Sequence, residues 1–215
     1  MHPLFSEFEK ILSTEDKPKS VEFILSRLKN RELDVATTYS ELLTPALNTE
    51  FCDEGEEECI WKEHIRTSII KTIVESSYQY LMREIEEKNI KKTGKKVLIA
   101  SPSDEYHEIG GRMVADFFTL AGFEVIFIGA NTPREEFGSA VDYFHPDIVA
   151  MSVTNYFHLI EAEKVIKTLK DEYNFKGKII VGGNAFYSNP DLYKRIGADL
   201  MLKTFEDIKN LAEGI

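Results

Sequence analysis

Hydrophobic positions change their period once along this chain. Up to about residue 92 they recur three and four apart, as on one face of a helix. LFSEFEKIL is a short amphipathic helix. PKSVEFILSRLKN reads as a second, with proline at its start, where the missing N–H costs nothing. VATTYSELLTPALN reads as a third, kinked or ended near Pro45. A long helix is expected from about Cys59 to Lys88, where Trp61, Ile65, Ile69 and Ile73 recur every four residues as one apolar stripe. The acidic run Asp53 to Glu58 ahead of it suits the positive end of a helix dipole. The pattern predicts a four-helix bundle over residues 1–92.

After Thr93 short β-rich runs alternate with helical ones. KKVLIA, FEVIFIG, DIVAMSV, GKIIVGG and ADLMLK are near-continuous apolar runs, as in strands covered on both faces. Helices are expected near 108–121, 133–144, 156–173, 190–196 and 205–213. Thr132-Pro133-Arg134-Glu135 has the spacing of a capping box, and Thr204 with Asp207 that of a weaker one. The class is therefore α/β: the helical bundle, then a flavodoxin- or Rossmann-like, doubly wound, five-stranded parallel sheet over residues 93–215. Its expected strand order is 2-1-3-4-5, and such sheets bind ligands at the carboxyl ends of their strands.

Composition narrows the function. The chain has 215 residues, 43% hydrophobic and 29% charged, enough for a sizeable core. A net charge of −11 argues against direct nucleic-acid binding, which needs a basic face. The one dense basic run, KNIKKTGKK from Lys88 to Lys96, reads as a solvated linker. Cys52 and Cys59 are too few for a disulfide scaffold, are not spaced as zinc ligands, and suit a reducing compartment. No stretch approaches about 18 consecutive apolar residues. MHPLFSEFEK has neither the basic start nor the apolar core of a signal peptide. A cytoplasmic protein without a membrane span is expected.

Candidate chemistry gathers at three strand ends. His107 falls in the loop after the first strand, in SDEYHEIGGRM. An imidazole there can ligate a metal if a carboxylate or carbonyl holds its second nitrogen, and Glu105 is placed to do so. Spacing alone fits more readily a solvent-facing loop histidine near a helix start. Gly110 would let a bulky group approach the backbone. The third strand runs into Ser152 and Thr154, and the fourth into Gly182 and Gly183. Strands one, three and four are neighbours in the expected order. A histidine loop, a hydroxyl pair and a double glycine then share one edge, which suggests a slot for a polar tail. Each feature alone is also common as a helix cap or turn. His145 and His158 read as surface or helix-cap residues, and no nucleophile–base pair stands out.

Glu105-x-His107-x-x-Gly110, Ser152-x-Thr154 and Gly182-Gly183 together resemble the signature of cobalamin-binding domains, and the resemblance covers nearly all of 94–214. It implies a corrinoid bound with its own lower base displaced. His107 would be the lower axial cobalt ligand, Glu105 its hydrogen-bond partner. Ser152 and Thr154 would lie near the base of the displaced nucleotide tail, with Gly182 and Gly183 making room. The family usually has Asp where this chain has Glu105, although some light-sensing members share the Glu. The helical half resembles the cap that such proteins place over the corrin. YSELLTPAL and Glu63-His64 look most like the cap of light-sensing transcriptional regulators. Those regulators have a tryptophan with nine residues between it and the Glu-His pair. Here that position is Asp53, or Cys52 with one gap, and Trp61 lies only two residues before Glu63. Trp61, Glu63 and His64 are therefore candidates for the upper face of the cofactor, or plain structural residues.

The resemblance implies a corrinoid sensor or photoreceptor-like regulator that signals through a partner protein or its own oligomer. The cofactor would be adenosylcobalamin or methylcobalamin. The alternative is a corrinoid carrier that shuttles a methyl group between methyltransferases. A further alternative is a haem or other tetrapyrrole sensor on the same fold.

Overall fold

The computed structural model describes residues 2–49, 60–189 and 191–215. Cys52, Asp53, the acidic run to Glu58, and Cys59 lie outside the described residues. The chain divides into two compact units, Met1–Asn89 and Ile90–Ile215.

The first unit is helical. Helix α1 is Phe5–Leu12 and α2 is Lys17–Asn30. Asp16 caps α2 by accepting from the Lys19 N–H, and Pro18 sits in its first turn. Next comes a composite rod: α3 (Val35–Thr37), a π-helical segment (Thr38–Leu43) and α4 (Thr44–Asn48). Pro45 neither ends nor breaks this rod. It has no N–H to donate back along the helix, and the turn before it is widened instead, with the Thr44 N–H donating to the Tyr39 carbonyl five residues back. Helix α5, Ile60–Glu87, follows. The rods are tied by particular contacts. Phe8 stacks on Phe23 with centroids 5.9 Å apart. The Tyr39 hydroxyl donates to the Val74 carbonyl at 3.3 Å. Buried Glu84 accepts from the Val35 N–H at 2.7 Å.

The expected apolar stripe on α5 needs correcting. Ile69 and Ile73 are buried, but Trp61 is 57% exposed and Ile65 39% exposed. A strict four-residue repeat drifts about 40° per step on a helix of 3.6 residues per turn, so its first and last members stand about 120° apart. The buried face instead runs through Arg66, Ile69, Ile70, Ile73, Val74, Ser77, Leu81 and Glu84. Trp61 is not a core residue.

The second unit alternates strand and helix: β1 (Lys96–Pro102), α6 (Ile109–Leu120), β2 (Glu124–Thr132), α7 (Arg134–Phe144) and β3 (Ile148–Ser152). It continues with α8 (Leu159–Asp171), β4 (Lys178–Gly182), α9 (Leu192–Arg195), β5 (Leu200–Met201) and α10 (Phe205–Glu213). The sheet is parallel throughout, in the order β2-β1-β3-β4-β5, as the strand–helix alternation predicts. Leu98, Val149, Ile179 and Val181 sit at or below 1% exposure, so the central strands carry the core on their apolar runs. Leu159, Ala162, Val165 and Leu169 of α8 cover them.

Two local expectations divide. Thr204 and Asp207 form a reciprocal capping box on α10. The box at Thr132 does not form, because Thr132 stays in β2 beside Pro102 and its hydroxyl turns back toward the Gly129 carbonyl. The basic run is partly neutralised by ion pairs of Lys88 with Glu84 and of Lys95 with Asp147. No described helix is long and apolar enough to cross a membrane.

Candidate functional site

The loop from β1 to α6 is stitched down before it presents any chemistry. Asp104 takes a left-handed backbone, with φ of 67°. Its N–H donates to the Asn131 side chain at 2.9 Å, and the Asn131 N–H donates to the Glu105 carbonyl at 2.9 Å. This turn sends the Glu105 side chain inward, where it is fully buried, while the His107 side chain stays 57% exposed.

Both carboxylate oxygens of Glu105 are engaged. Oε1 accepts from the His107 N–H at 3.1 Å and from His107 Nδ1 at 2.5 Å. Oε2 accepts from the N–H groups of Thr154 and Asn155, at 2.8 and 2.9 Å, and from His158 Nδ1 at 3.1 Å. Burial is the largest single influence on this carboxyl and opposes its ionisation. The bonds from His107, Asn155, His158 and Thr154 together outweigh it and hold the pKa down to about 2. An ionised carboxylate only accepts, so Nδ1 of His107 donates and carries a proton; a neutral ring protonated there has its lone pair on Nε2. That is the tautomer a metal-ligating imidazole needs.

The other sequence-derived candidates of this unit lie around the same edge. Ser152 faces the start of α6: a Cβ built on Gly111 would lie 3.4 Å from Ser152 Cβ and 3.5 Å from the Phe127 ring. Gly110 differs. It is exposed, and a Cβ there would meet nothing nearer than Ser152 Oγ at 4.0 Å. The protein's own packing does not require that glycine, which fits a position kept clear for a bound group. Thr154 serves Glu105 through its backbone. Gly182 and Gly183 are demanded by neighbouring main chain, since a Cβ would lie 2.9 Å from the Leu202 carbonyl oxygen and 2.3 Å from that of Val153, respectively. Gly183 also has φ of 106°. Gly183→Ala is therefore expected to cost about 2–4 kcal/mol from backbone strain and overpacking, read as a shifted denaturation midpoint.

Trp61, Glu63 and His64 belong to the other unit. All three are exposed near the start of α5. Sequence reasoning missed His158, read as a surface or cap residue. Its side chain is only 20% exposed and reaches Glu105. One signal was available: it follows β3, the neighbour of β1, so the strand order alone puts it at the same edge.

A carboxylate-backed imidazole at the carboxyl edge of a 2-1-3-4-5 parallel sheet, beside an open glycine, defines a flavodoxin-like cofactor-binding domain. The chain belongs to the B12 binding domain family, whose model matches residues 95–212. It is a corrinoid-binding protein. A corrinoid protein of Desulfitobacterium hafniense is 28% identical over 125 residues, 56% of this chain and 55% of that protein. The chain thus spans about half the length of that relative. Trimethylamine corrinoid protein 2 of Methanosarcina acetivorans is 26% identical over 164 residues, 74% of this chain and 72% of that protein. Among solved structures, the monomethylamine corrinoid protein of Methanosarcina barkeri shares the fold, with a TM-score of 0.80 at 16% identity over 99% of this chain and 98% of that one.

Proposed function

We propose that this chain is the corrinoid carrier of a methyl-transfer system, with His107 as the lower axial ligand of the cofactor. The observation that carries the ligand assignment is Glu105, buried, ionised and bonded to His107 Nδ1 at 2.5 Å. The relatives named for methylamine corrinoid proteins favour the carrier over the light-sensing regulator that the helical half suggests. When bound, the corrinoid supplies a cobalt centre that can take up and give up a methyl group.

The chain's own residues hold and orient. Glu105 keeps the His107 proton on Nδ1 and directs Nε2 outward. Gly110 leaves the approach to the loop open. Ser152, Thr154, Gly182 and Gly183 are assigned to the displaced nucleotide tail. Trp61, Glu63 and His64, in the helical unit proposed over residues 1–92, are further candidates for contact with the cofactor. Residues 93–215 would hold the cofactor, and a partner methyltransferase would have to reach its cobalt.

The test uses hydroxocobalamin, methylcobalamin, adenosylcobalamin and haem, each mixed with the chain and desalted before a visible spectrum is taken. About one equivalent of corrinoid should be retained. Elution free of every corrinoid overturns the reading, and retention of haem alone replaces it with the tetrapyrrole alternative. Methyl transfer from the loaded chain to a thiol, given a partner enzyme, supports the carrier. A change in assembly on illumination specific to adenosylcobalamin, without methyl transfer, would restore the sensor.

A further inference from the structure

We infer that Asn131 is a positioning residue for the ligand loop: it latches the β1–α6 loop to the end of β2, so that His107 is in place before a cofactor arrives. The inference rests on the reading of His107 as the ligand. It starts from a place where unusual backbone geometry gathers. Gly129, Asn131 and Asp104 all have positive φ, at 120°, 51° and 67°. Over the same span β2 slips register against β1 twice, between Ile99 and Ala100 and between Ala100 and Pro102. Ile99 pairs with Phe127 and Pro102 with Thr132, so β2 holds two residues more than β1 there. Such bulges re-aim side chains, and left-handed non-glycine residues gather where function over-determines the backbone.

The second slip contains Asn131, and the bonds there run to the loop. The Asn131 side-chain oxygen accepts from the Asp104 N–H at 2.9 Å, and the Asn131 N–H donates to the Glu105 carbonyl at 2.9 Å. Next to it, the Ser103 hydroxyl donates to the Thr132 carbonyl at 3.4 Å. Three successive loop residues are thus tied to two at the end of β2. Glu105 carries this order on to His107, two residues further, whose N–H donates to Oε1. The Glu105 side chain is held by the N–H groups of Thr154 and Asn155 beyond β3, and its main chain from β2. The loop is therefore braced from both neighbours of β1. Asparagine suits both tasks at position 131, because it tolerates a left-handed backbone and offers an acceptor. Asn131 and Asp104 are exposed, so their bond competes with water and adds little to folding. Its larger effect is on binding, since a loop ordered beforehand has less freedom left to lose.

The experiment is backbone amide exchange by NMR on the full chain without cofactor, followed by titration with hydroxocobalamin. In the wild type the Asp104 N–H should exchange more slowly than in an unstructured peptide. Exchange at the unstructured rate overturns the proposal without any variant. Asn131→Gly keeps the left-handed backbone and removes the acceptor. It should speed exchange at Asp104 and weaken hydroxocobalamin binding, each about 2- to 10-fold, the range set by one net hydrogen bond. The spectrum at saturation should match the wild type, because His107 is still the ligand. Asn131→Ala removes the acceptor without loosening the backbone and should weaken binding at least as much. Asn131→Asp keeps the acceptor and tolerates the same backbone, so it should recover both exchange and affinity. Unchanged affinity in a folded Gly or Ala variant, or no recovery in a folded Asp variant, overturns it. Failure of the wild type to bind hydroxocobalamin is a different result: it removes the cofactor reading and leaves amide exchange to decide whether Asn131 holds the loop.

Discussion

Glu105→Ala is expected to destabilise the sheet unit by about 3–5 kcal/mol and to abolish stable corrinoid retention. The change strips the shared acceptor from five donors: the His107 and His158 rings and the N–H groups of His107, Thr154 and Asn155. Orphaned donors that are shut away from water cost about 1–3 kcal/mol each, and relaxation recovers part of the sum. Urea denaturation followed by circular dichroism measures the loss. Acid does the same thing more gently. The folded carboxyl titrates at about 2 against 4.5 for an unperturbed glutamate, a gap worth about 3 kcal/mol. Because the folded value is the lower one, the stabilisation is complete above about pH 5 and is lost as pH falls from about 4.5 toward 2. Glu105→Gln should start from lower stability and lack this one-proton component. A wild-type and a Gln profile that run parallel through this window would refute the assignment.

His107→Ala is expected to separate cofactor binding from folding. The ring is 57% exposed and Glu105 keeps four other donors, so the stability loss should stay within about 1–2 kcal/mol. Hydroxocobalamin retention should fall by at least about 100-fold, since losing a ligand exceeds the 10–100-fold typical of losing its outer partner. Any corrinoid that remains should show the spectrum of a centre without imidazole below. Free imidazole added to this variant should restore part of the wild-type spectrum. Identical spectra and retention in His107→Ala and wild type would exclude His107 as the ligand. Set beside Glu105→Ala, the pair discriminates: one variant loses retention and keeps most of its stability, the other loses retention and stability together.

Much of the architecture was readable because its causes are local or follow from chain connectivity. Apolar runs such as VLIA and IIVG commit to strands covered on both faces, and alternation with helices leaves few sheet orders. The Thr204–Asp207 box needed only a spacing of three. Local signals failed where two elements compete for one residue. Thr132 has the spacing of a cap, but β2 runs on through it. Trp61 has the spacing of a core position, but the buried face of a long helix follows the 3.6-residue period, and strict fours drift off it.

By itself, the sequence determined the sheet, its order and the presence of His107, Glu105, the hydroxyl pair and the double glycine at one edge. Periodicity and strand order are properties of the chain's own succession. Tertiary structure alone decided how Glu105 is held. Its partners on Oε2 come from 49, 50 and 53 residues further on, and a spacing that long leaves no period or motif to read. Folding brings β1 beside β3, and the extra methylene of Glu105 then has somewhere to go: into a ring of donors that holds the carboxylate ionised and turns His107 to face outward.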